Sequence, residues 1–395
     1  MKSRSYLLAA LVISLMALPA QGAISFIGLG DLPGGTLFYS EARGVSGDGT
    51  TVVGRSSGAS GNEAFRWTAD GGMVGLGDLP GGNFRSFASS VSGDGTTVVG
   101  YSAGALGFEA FRWTADGGMV SLGELPGGAS SYSEAQSVSG DGATVVGHSD
   151  GTSGFEAFRW TADGGTVGLG DLPGGGSYSI AYDVSVDGTT VIGLGRGPSG
   201  DEAFRWTADG GMVGLGDLPG GGFSSIATGV SDDGTTVVGQ GISSSGFEAF
   251  RWTADGGMVG LGDLPVGSFY KPFSSIATGV SGDGATVVGL GTGDSGTEVI
   301  IWDAAHGMRR IADLLVAGGI DMSGWTLQKA TGVSADGRVI VGYGDNGAGR
   351  TEAWLVDLGP LPVPEPTAFA MWAVALSAAA CVCRGDVIRA SRTVR

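Results

Sequence analysis

"EAFRWTADGGMVGLGDLPGG" spans Glu63 to Gly82, and the reading of this stretch decides the fold. Its centre, FRWTADGG, returns around Trp113, Trp160, Trp206 and Trp252. A string copied this often is either a site used many times or a building block that folds only when stacked. Copies spread around an array sit tens of ångströms apart, so their Glu, Arg and Trp residues cannot converge on one substrate. The repeated letters therefore read as scaffold.

Two further landmarks travel with the tryptophan. Val-Ser-x-Asp-Gly places an aspartate at Asp48, Asp94, Asp141, Asp187, Asp233, Asp283 and Asp336. Gly-Asp/Glu-Leu or a relative falls at Asp31, Asp78, Glu124, Asp171, Asp217, Asp263 and Asp313. With Trp302 and Trp354 completing the tryptophans, each landmark occurs seven times, 46 or 47 residues apart in most copies. A period of this length marks a repeat architecture.

One unit reads as four short strands: "EARGVS", "TVVGRS", "EAFRWT" and "MVGLGD". Valine, Phe and Trp suit a pleated surface. The Asp-Gly pairs between strands supply the positive φ of hairpin turns, and Pro80-Gly81-Gly82 breaks pairing before the next unit. No stretch of the body shows helical periodicity. A four-stranded sheet cannot bury both faces alone, and radial stacking of neighbours does so. The ends support a closed ring. "ISFIGLGD", Ile24 to Asp31, matches a fourth strand, while the last unit stops after its third, "EAWLVD". The expectation is an all-β, seven-bladed β-propeller closed by an N-terminal strand that completes the last blade, with no exposed edge. A β-solenoid is the alternative, though it leaves the split ends without a reason.

Three segments follow: a signal peptide at 1–22, the seven-repeat propeller at 23–362 and a sorting segment at 363–395. Lys2 and Arg4, the apolar run Tyr6 to Leu18 and Ala20-Gln21-Gly22 compose a secretory signal. At the other end Pro364-Glu365-Pro366 precedes seventeen mostly apolar residues and a tail bearing Arg384, Arg389, Arg392 and Arg395. Seventeen residues at about 1.5 Å each give roughly 25 Å, enough for a short transmembrane helix. The arginines would hold the tail in the cytoplasm.

Two resemblances attach to these residues. Pro364-Glu365-Pro366, the short helix and the basic tail resemble the PEP-CTERM sorting signal of Gram-negative bacteria, with arginines more spread than usual and Asp386 among them. That resemblance implies export, transient anchoring in the inner membrane, processing by an exosortase-like enzyme and delivery to the cell surface or matrix. A plain C-terminal anchor is the alternative. Across residues 24 to 358 the chain resembles the HAF-repeat extracellular proteins, with Glu-Ala-Phe, as at Glu63-Ala64-Phe65, where the family has His-Ala-Phe. This implies architecture and location, and no particular activity.

Charge narrows the partners. Six of the 21 Lys+Arg and two of the 39 Asp+Glu lie in the terminal segments, so the body holds 15 against 37, a net −22. Such a body repels phosphate backbones and argues against nucleic acid. Both cysteines, Cys381 and Cys383, sit in the terminal segment, so the body folds without disulfides.

Chemistry is sparse. The histidines His148 and His306 occupy non-equivalent positions and read as surface residues. No HExxH, GxSxG or Cys ligand set is present. The "GLGDLPGG" strings lack the lysine and helix of a phosphate loop, and no cofactor is expected. "SGDG" offers one carboxylate per turn where calcium wants six or more oxygens, so a hairpin turn accounts for it, and calcium binding stays open. Phe65 and Trp67 read as inter-blade core, and Arg66 is expected to pair with an acid such as Asp78. The strand of type "SxAxGVS" lines the axis, its small residues suiting a crowded centre.

Variable loops on one face carry Tyr39, Phe84, Tyr132, Tyr178, Phe223, Tyr270, Phe273 and Trp325. Aromatic rings near acids can stack on sugar C–H groups, or can staple one blade to the next. Three functions follow. The chain can be a surface-sorted, non-catalytic binder of polysaccharide or matrix protein. It can be a glycosidase- or lyase-like enzyme with paired axial carboxylates. Or it can be a structural matrix component. The first is the expectation.

Overall fold

The computed structural model describes residues 23–35, 37–128, 130–265, 273–294 and 296–359. The signal peptide, Tyr270 and the sorting segment with Pro364, Glu365, Pro366 and the expected transmembrane helix lie outside the described residues. Among the described residues no helix is long and apolar enough to cross a membrane.

The first strand, β1, is Ser25–Gly28. The first full unit is an antiparallel meander of β2 (Ser40–Val45), β3 (Thr51–Ser57), β4 (Asn62–Thr68) and β5 (Gly72–Gly75). In the β2–β3 turn the Ser46 N–H donates to the Thr51 carbonyl at 2.9 Å, and the Gly49 N–H donates to the Ser46 carbonyl at 2.9 Å. Asp48 accepts from the Ser46 hydroxyl and from the Thr50 N–H at 3.0 Å. Only Gly49, at φ 75°, takes the positive value that the turn needs. The expected Asp-Gly hairpin thus exists, with the aspartate holding the turn through hydrogen bonds and the glycine alone in the left-handed region.

The unit recurs along the chain in six sheets, five of four strands and one of eight. The eight-stranded sheet contains two four-stranded units, Gly220 to Gly260 and Phe273 to Arg310, linked by a parallel contact of Gly246 with Phe273 and Phe247 with Ser274. The last unit supplies Thr326–Val333, Val339–Asp345 and Thr351–Asp357, and β1 adds its fourth strand, running from Ser25 opposite Asp357 to Gly28 opposite Trp354. The split terminal strands therefore meet as the sequence predicts.

Ring closure shows again in the backbone at the narrow end of the axis. The variable residue of Val-Ser-x-Asp-Gly brings Gly47, Gly93, Gly140, Val186, Asp232, Gly282 and Ala335 together. N–H groups donate to the next unit's carbonyl from Gly140 to Val186 (2.9 Å), Val186 to Asp232 (3.2 Å), Asp232 to Gly282 (3.0 Å) and Gly282 to Ala335 (2.9 Å). Ala335 then donates to Gly47 (3.0 Å) and Gly47 to Gly93 (3.1 Å). Gly93 abuts Gly140, where an added Cβ would lie 3.3 Å from the Gly140 Cα. A linear solenoid cannot return its last unit to its first.

The core lies between units. Phe65 is fully buried with Val341, Ala353 and Leu355 of the last unit, and Phe111 with Val53 and Ala64 of the first. Phe65 and its strand neighbour Ala64 both have no exposure, so both faces of the sheet are covered. Burying one such phenylalanine is worth about 2–3 kcal/mol. The glutamate of Glu-Ala-Phe caps the loop that follows β5: Glu63 accepts the Gly77 N–H at 2.8 Å, and Glu352 accepts the Gly30 N–H at 3.0 Å across the closure.

Two expectations are corrected. Arg66 does not pair with Asp78. It donates to the Thr51 hydroxyl at 3.1 Å and to the Gly95 carbonyl of the next unit at 3.3 Å. Arg112 and Arg251 repeat both contacts. A forked guanidinium bridging two uncharged acceptors ties neighbours together without a buried ion pair. Among its described residues the body also contains one short helix, α1, Ile311–Ala317. Ile311 and Leu315, four residues apart, bury one face against the final inter-unit core. Seven residues are too few to produce a visible period.

Candidate functional site

The first strand of each unit lines the axis, as expected, but its residues are not uniformly small. The position after the conserved serine is Glu41, Phe87, Glu134, Ile180, Ile226, Ile276 and, in the last unit, Lys329. Two residues on stand Arg43, Ser89, Gln136, Tyr182, Thr228, Thr278 and Thr331. Alternation of a strand presents both positions to the same side.

Together they build a cavity of about 410 Å³ at the wide end of the axis, to which all seven units contribute. Arg43, Arg55, Phe87, Tyr101, Glu134, Gln136, Tyr182 and Lys329 give it charge, rings and an amide, while Thr228, Ile276, Thr278 and Thr331 form a plainer wall. The threonine hydroxyls are spoken for: Thr228, Thr278 and Thr331 donate to the carbonyls of Ala277, Ala330 and Ala42 at 2.8, 2.9 and 2.9 Å. Below lie smaller cavities of about 190 and 140 Å³, the lower one girdled by the backbone ring.

Glu41 sits beneath the cationic wall. It accepts from Arg43 at 2.6 Å, from Arg55 at 3.0 Å and from the Tyr39 phenol. Burial pushes Glu41 up, but the hydrogen bonds from Arg55 and Tyr39 and the Arg43 charge outweigh it and hold the carboxyl below its ordinary range. Burial, with Glu41 as acceptor, pushes the Tyr39 phenol up to about 12. Arg43 also lies over the Tyr343 ring, 5.9 Å from its centroid.

Glu134 has a different setting. It accepts from the Tyr132 phenol and from the Gln136 amide at 3.1 Å, and no cation is paired with it among the described residues. Burial dominates, and its carboxyl is raised. Phe87 and Tyr101 stack at 4.8 Å, opposite one another in register. Lys329 is half-buried, and burial together with the like charge of Arg43 lowers its ammonium.

His148 is not a surface residue. It is buried opposite Glu134 in register, with Phe155 edge-on at 5.4 Å. Its Nδ1 has no partner, and burial lowers its imidazole to about 4. His306 is exposed, as expected, and contacts Asp303 at 2.8 Å.

The aromatics singled out in the loops do not form one surface. Tyr39 and Tyr132 reach inward to Glu41 and Glu134. Tyr132 and Tyr178 both contact Phe155, at 5.5 and 6.5 Å, and Arg196 lies 5.5 Å over the Tyr178 ring. Phe84 is half-buried, and Phe223 is 42% exposed. Trp325 meets Phe26 of β1 edge-on at 4.9 Å and packs on the last core. Phe273 begins its strand, and Tyr270 is outside the described residues. Sequence reasoning missed Arg43, Gln136, Tyr182 and Lys329. Aligning the seven first strands and asking where they disagree would have found them.

No protein-family model matches the chain, and no curated protein matches it in sequence. Among solved structures, an oligogalacturonate lyase from Vibrio parahaemolyticus superposes with a TM-score of 0.52 at 11% identity, covering 87% of this chain and 98% of that one. A prolyl endopeptidase structure superposes with a TM-score of 0.52 at 13% identity, covering 82% of this chain and 51% of that one. TolB from Acinetobacter baumannii gives a TM-score of 0.43 at 13% identity over 67% of this chain, which spans 60% of it. At such identities the likeness to the first two is one of fold, and it agrees with the sheets, the closing strand and the axial ring: the chain is a β-propeller.

Proposed function

We propose that this chain is an exported, surface-sorted, seven-bladed propeller that acts by binding, and that its ligand is an extracellular polysaccharide seated in the axial mouth. The eight-stranded sheet counts as two of the blades. One observation carries the reading. Repeats that copy one another elsewhere diverge at the mouth, where a cavity of about 410 Å³ gathers rings, an amide, a carboxylate and cations. Pockets of roughly 300–1,000 Å³ suit small ligands or the end of a chain. Ring faces such as Tyr182 stack on sugar C–H groups, while Gln136 and Glu134 take hydroxyls.

Binding is favoured over turnover by the carboxylates. Glycoside hydrolysis uses two carboxyl groups about 5–10 Å apart across the bond. Among the described residues one carboxylate, Glu134, lines the mouth, and Glu41 is held by two arginines and a phenol. Export, the exosortase-like processing partner and the transient inner-membrane anchor rest on residues 1–22 and 363–395 and on the PEP-CTERM and HAF-repeat resemblances. The body's net −22 weighs against nucleic acid.

A glycan array with the mature body tests the reading. Binding that is lost in Tyr182→Ala, at unchanged circular dichroism, supports it. Shortened glycans after incubation would instead favour the enzyme. Silence across the array would leave a structural matrix component.

A further inference from the structure

The mouth is cationic in a body that is not. The body carries a net −22, yet three cations, Arg43, Arg55 and Lys329, line the cavity against one lining carboxylate, Glu134. Glu41 underneath takes both arginines and so neutralises one of them. Lys329 has no such partner: none of the ion pairs among the described residues includes it. Its neighbour in charge is Arg43, of like sign, contributed by the adjacent unit across the ring closure. Glu41 attracts the ammonium as well, but that acid is already held by both arginines, so a half-buried ammonium beside a guanidinium still gains from further negative charge.

The rest of the wall limits what that anion can be. Glu134, two units away and paired with no cation, repels a ligand that is anionic along its whole length. Gln136 and the Tyr182 ring ask for hydroxyls and an apolar face. One end negative and the other hydroxylated describes an acidic sugar. We propose that the mouth selects a uronate, its carboxylate held between Lys329 and Arg43, its ring against Tyr182 and its hydroxyls on Gln136 and Glu134. This inference rests on the glycan-binding reading above and adds the ligand class. The planar carboxylate suits the Arg43 fork, and the ammonium adds a point charge.

Titration calorimetry on the folded body at 0.15 M salt, where repulsion from charges beyond about 8 Å is screened, tests it. The probes are short neutral oligosaccharides that end in a single galacturonate, glucuronate or mannuronate, each as free acid and as methyl ester, with a sulfated galactan, fully neutral oligosaccharides and polyglutamate as controls. The expected result is that at least one free acid binds about tenfold or more tighter than its ester, the loss of one charge-assisted contact. Lys329→Met, with unchanged circular dichroism, should then shrink that ratio to the part that Arg43 alone retains. Comparing acid with ester in the unmodified protein needs no variant to fold. Equal binding of acid and ester, or preference for neutral sugars, overturns the uronate while leaving glycan binding intact. Tighter binding of the sulfated galactan overturns the carboxylate. Polyglutamate binding as well as any sugar, or no binding by any glycan, overturns this inference and the glycan reading together.

Discussion

In the third strand of each of the first five units Glu-Ala-Phe-Arg-Trp recurs with the same burial, the Ala and Phe fully covered. In the first strand one equivalent position holds two glutamates, a phenylalanine, three isoleucines and a lysine. The difference follows from what each strand faces. A third-strand phenylalanine fills a space bounded by two units, so its shape is dictated from both sides and every joint asks for the same residue. At the first-strand position four of the seven side chains, Phe87, Glu134, Ile276 and Lys329, line the cavity, which does not impose one shape on them. Identity between copies marks packing here, and divergence marks the walls of the axial cavity.

The comparison breaks most visibly under truncation of the packed residue. Phe204→Ala should cost about 3–5 kcal/mol, because the cavity it leaves is walled by two sheets that cannot collapse. Urea denaturation would register this, while the folded fraction should keep its ligand affinity. Lys329→Met should do the reverse, leaving the midpoint nearly unchanged. A Lys329→Met protein as unstable as Phe204→Ala would show that the mouth is core after all.

Acid titration sharpens the comparison, because two residues that break the repeat, His148 on a second strand and Asp183 on a first, carry opposed shifts. His148 falls from an ordinary 6.5 to about 4 through burial. Between those values the unfolded chain binds the proton and the folded one does not, so stability rises with pH from about 4 to 6.5. Asp183, on the axial channel, is raised from 3.8 to about 6 by burial, against hydrogen bonds from Ser137, Val230 and Val184. Here the folded state holds the proton, so the contribution present below about 4 is lost as pH rises through 6. The two slopes oppose each other and offset in the parent protein, on a background set by the other shifted carboxyls, among them the turn aspartates Asp48, Asp94, Asp141, Asp187 and Asp233, held low by hydrogen bonds from their own turns. Relative to the parent, His148→Gln should tilt the stability profile downward between pH 4 and 6, and Asp183→Asn should tilt it upward. Each arm is at most about 3 kcal/mol, the Asp183 arm smaller because its side chain keeps part of its surface on the channel. Parallel slopes in the two variants would refute the assignment.

Much of this was written in the sequence. The 46-residue period, the Asp-Gly turns and the orphan strands at Ile24 and Glu352 announced a ring before any coordinate. Those signals are local or periodic, and they survive reading one residue at a time. The mouth was harder. Arg43 sits in "SEARGV" and Lys329 in "LQKATGV", 286 positions apart in the chain and joined only by closure. Arg66 misled because an arginine near an acid in sequence invites a pairing, whereas the sheet offered it a hydroxyl and a carbonyl. Nor could His148 be placed, since one histidine in one copy has no pattern to betray its burial.

The smallest expected effect tests the closure itself. At an ordinary joint the Ser179 hydroxyl accepts the Ala157 N–H at 3.0 Å and donates to the Gly170 carbonyl at 2.8 Å. At the closing joint Ser40 does the same with Ala353, at 3.0 Å, and Gly30. Removing either hydroxyl orphans a buried N–H, so Ser179→Ala and Ser40→Ala should each cost about 1–2 kcal/mol. Equal equilibrium losses need not mean equal kinetics. β1 is a four-residue strand whose partners lie at the far end of the chain, and terminal strands open first. If the ring opens there on the way to the unfolding transition state, the Ser40 contact is already gone at the barrier. Its whole loss then appears as faster unfolding, about 5–30-fold, while Ser179→Ala accelerates unfolding less. Stopped-flow unfolding arms that coincide for the two variants would place the opening elsewhere in the ring.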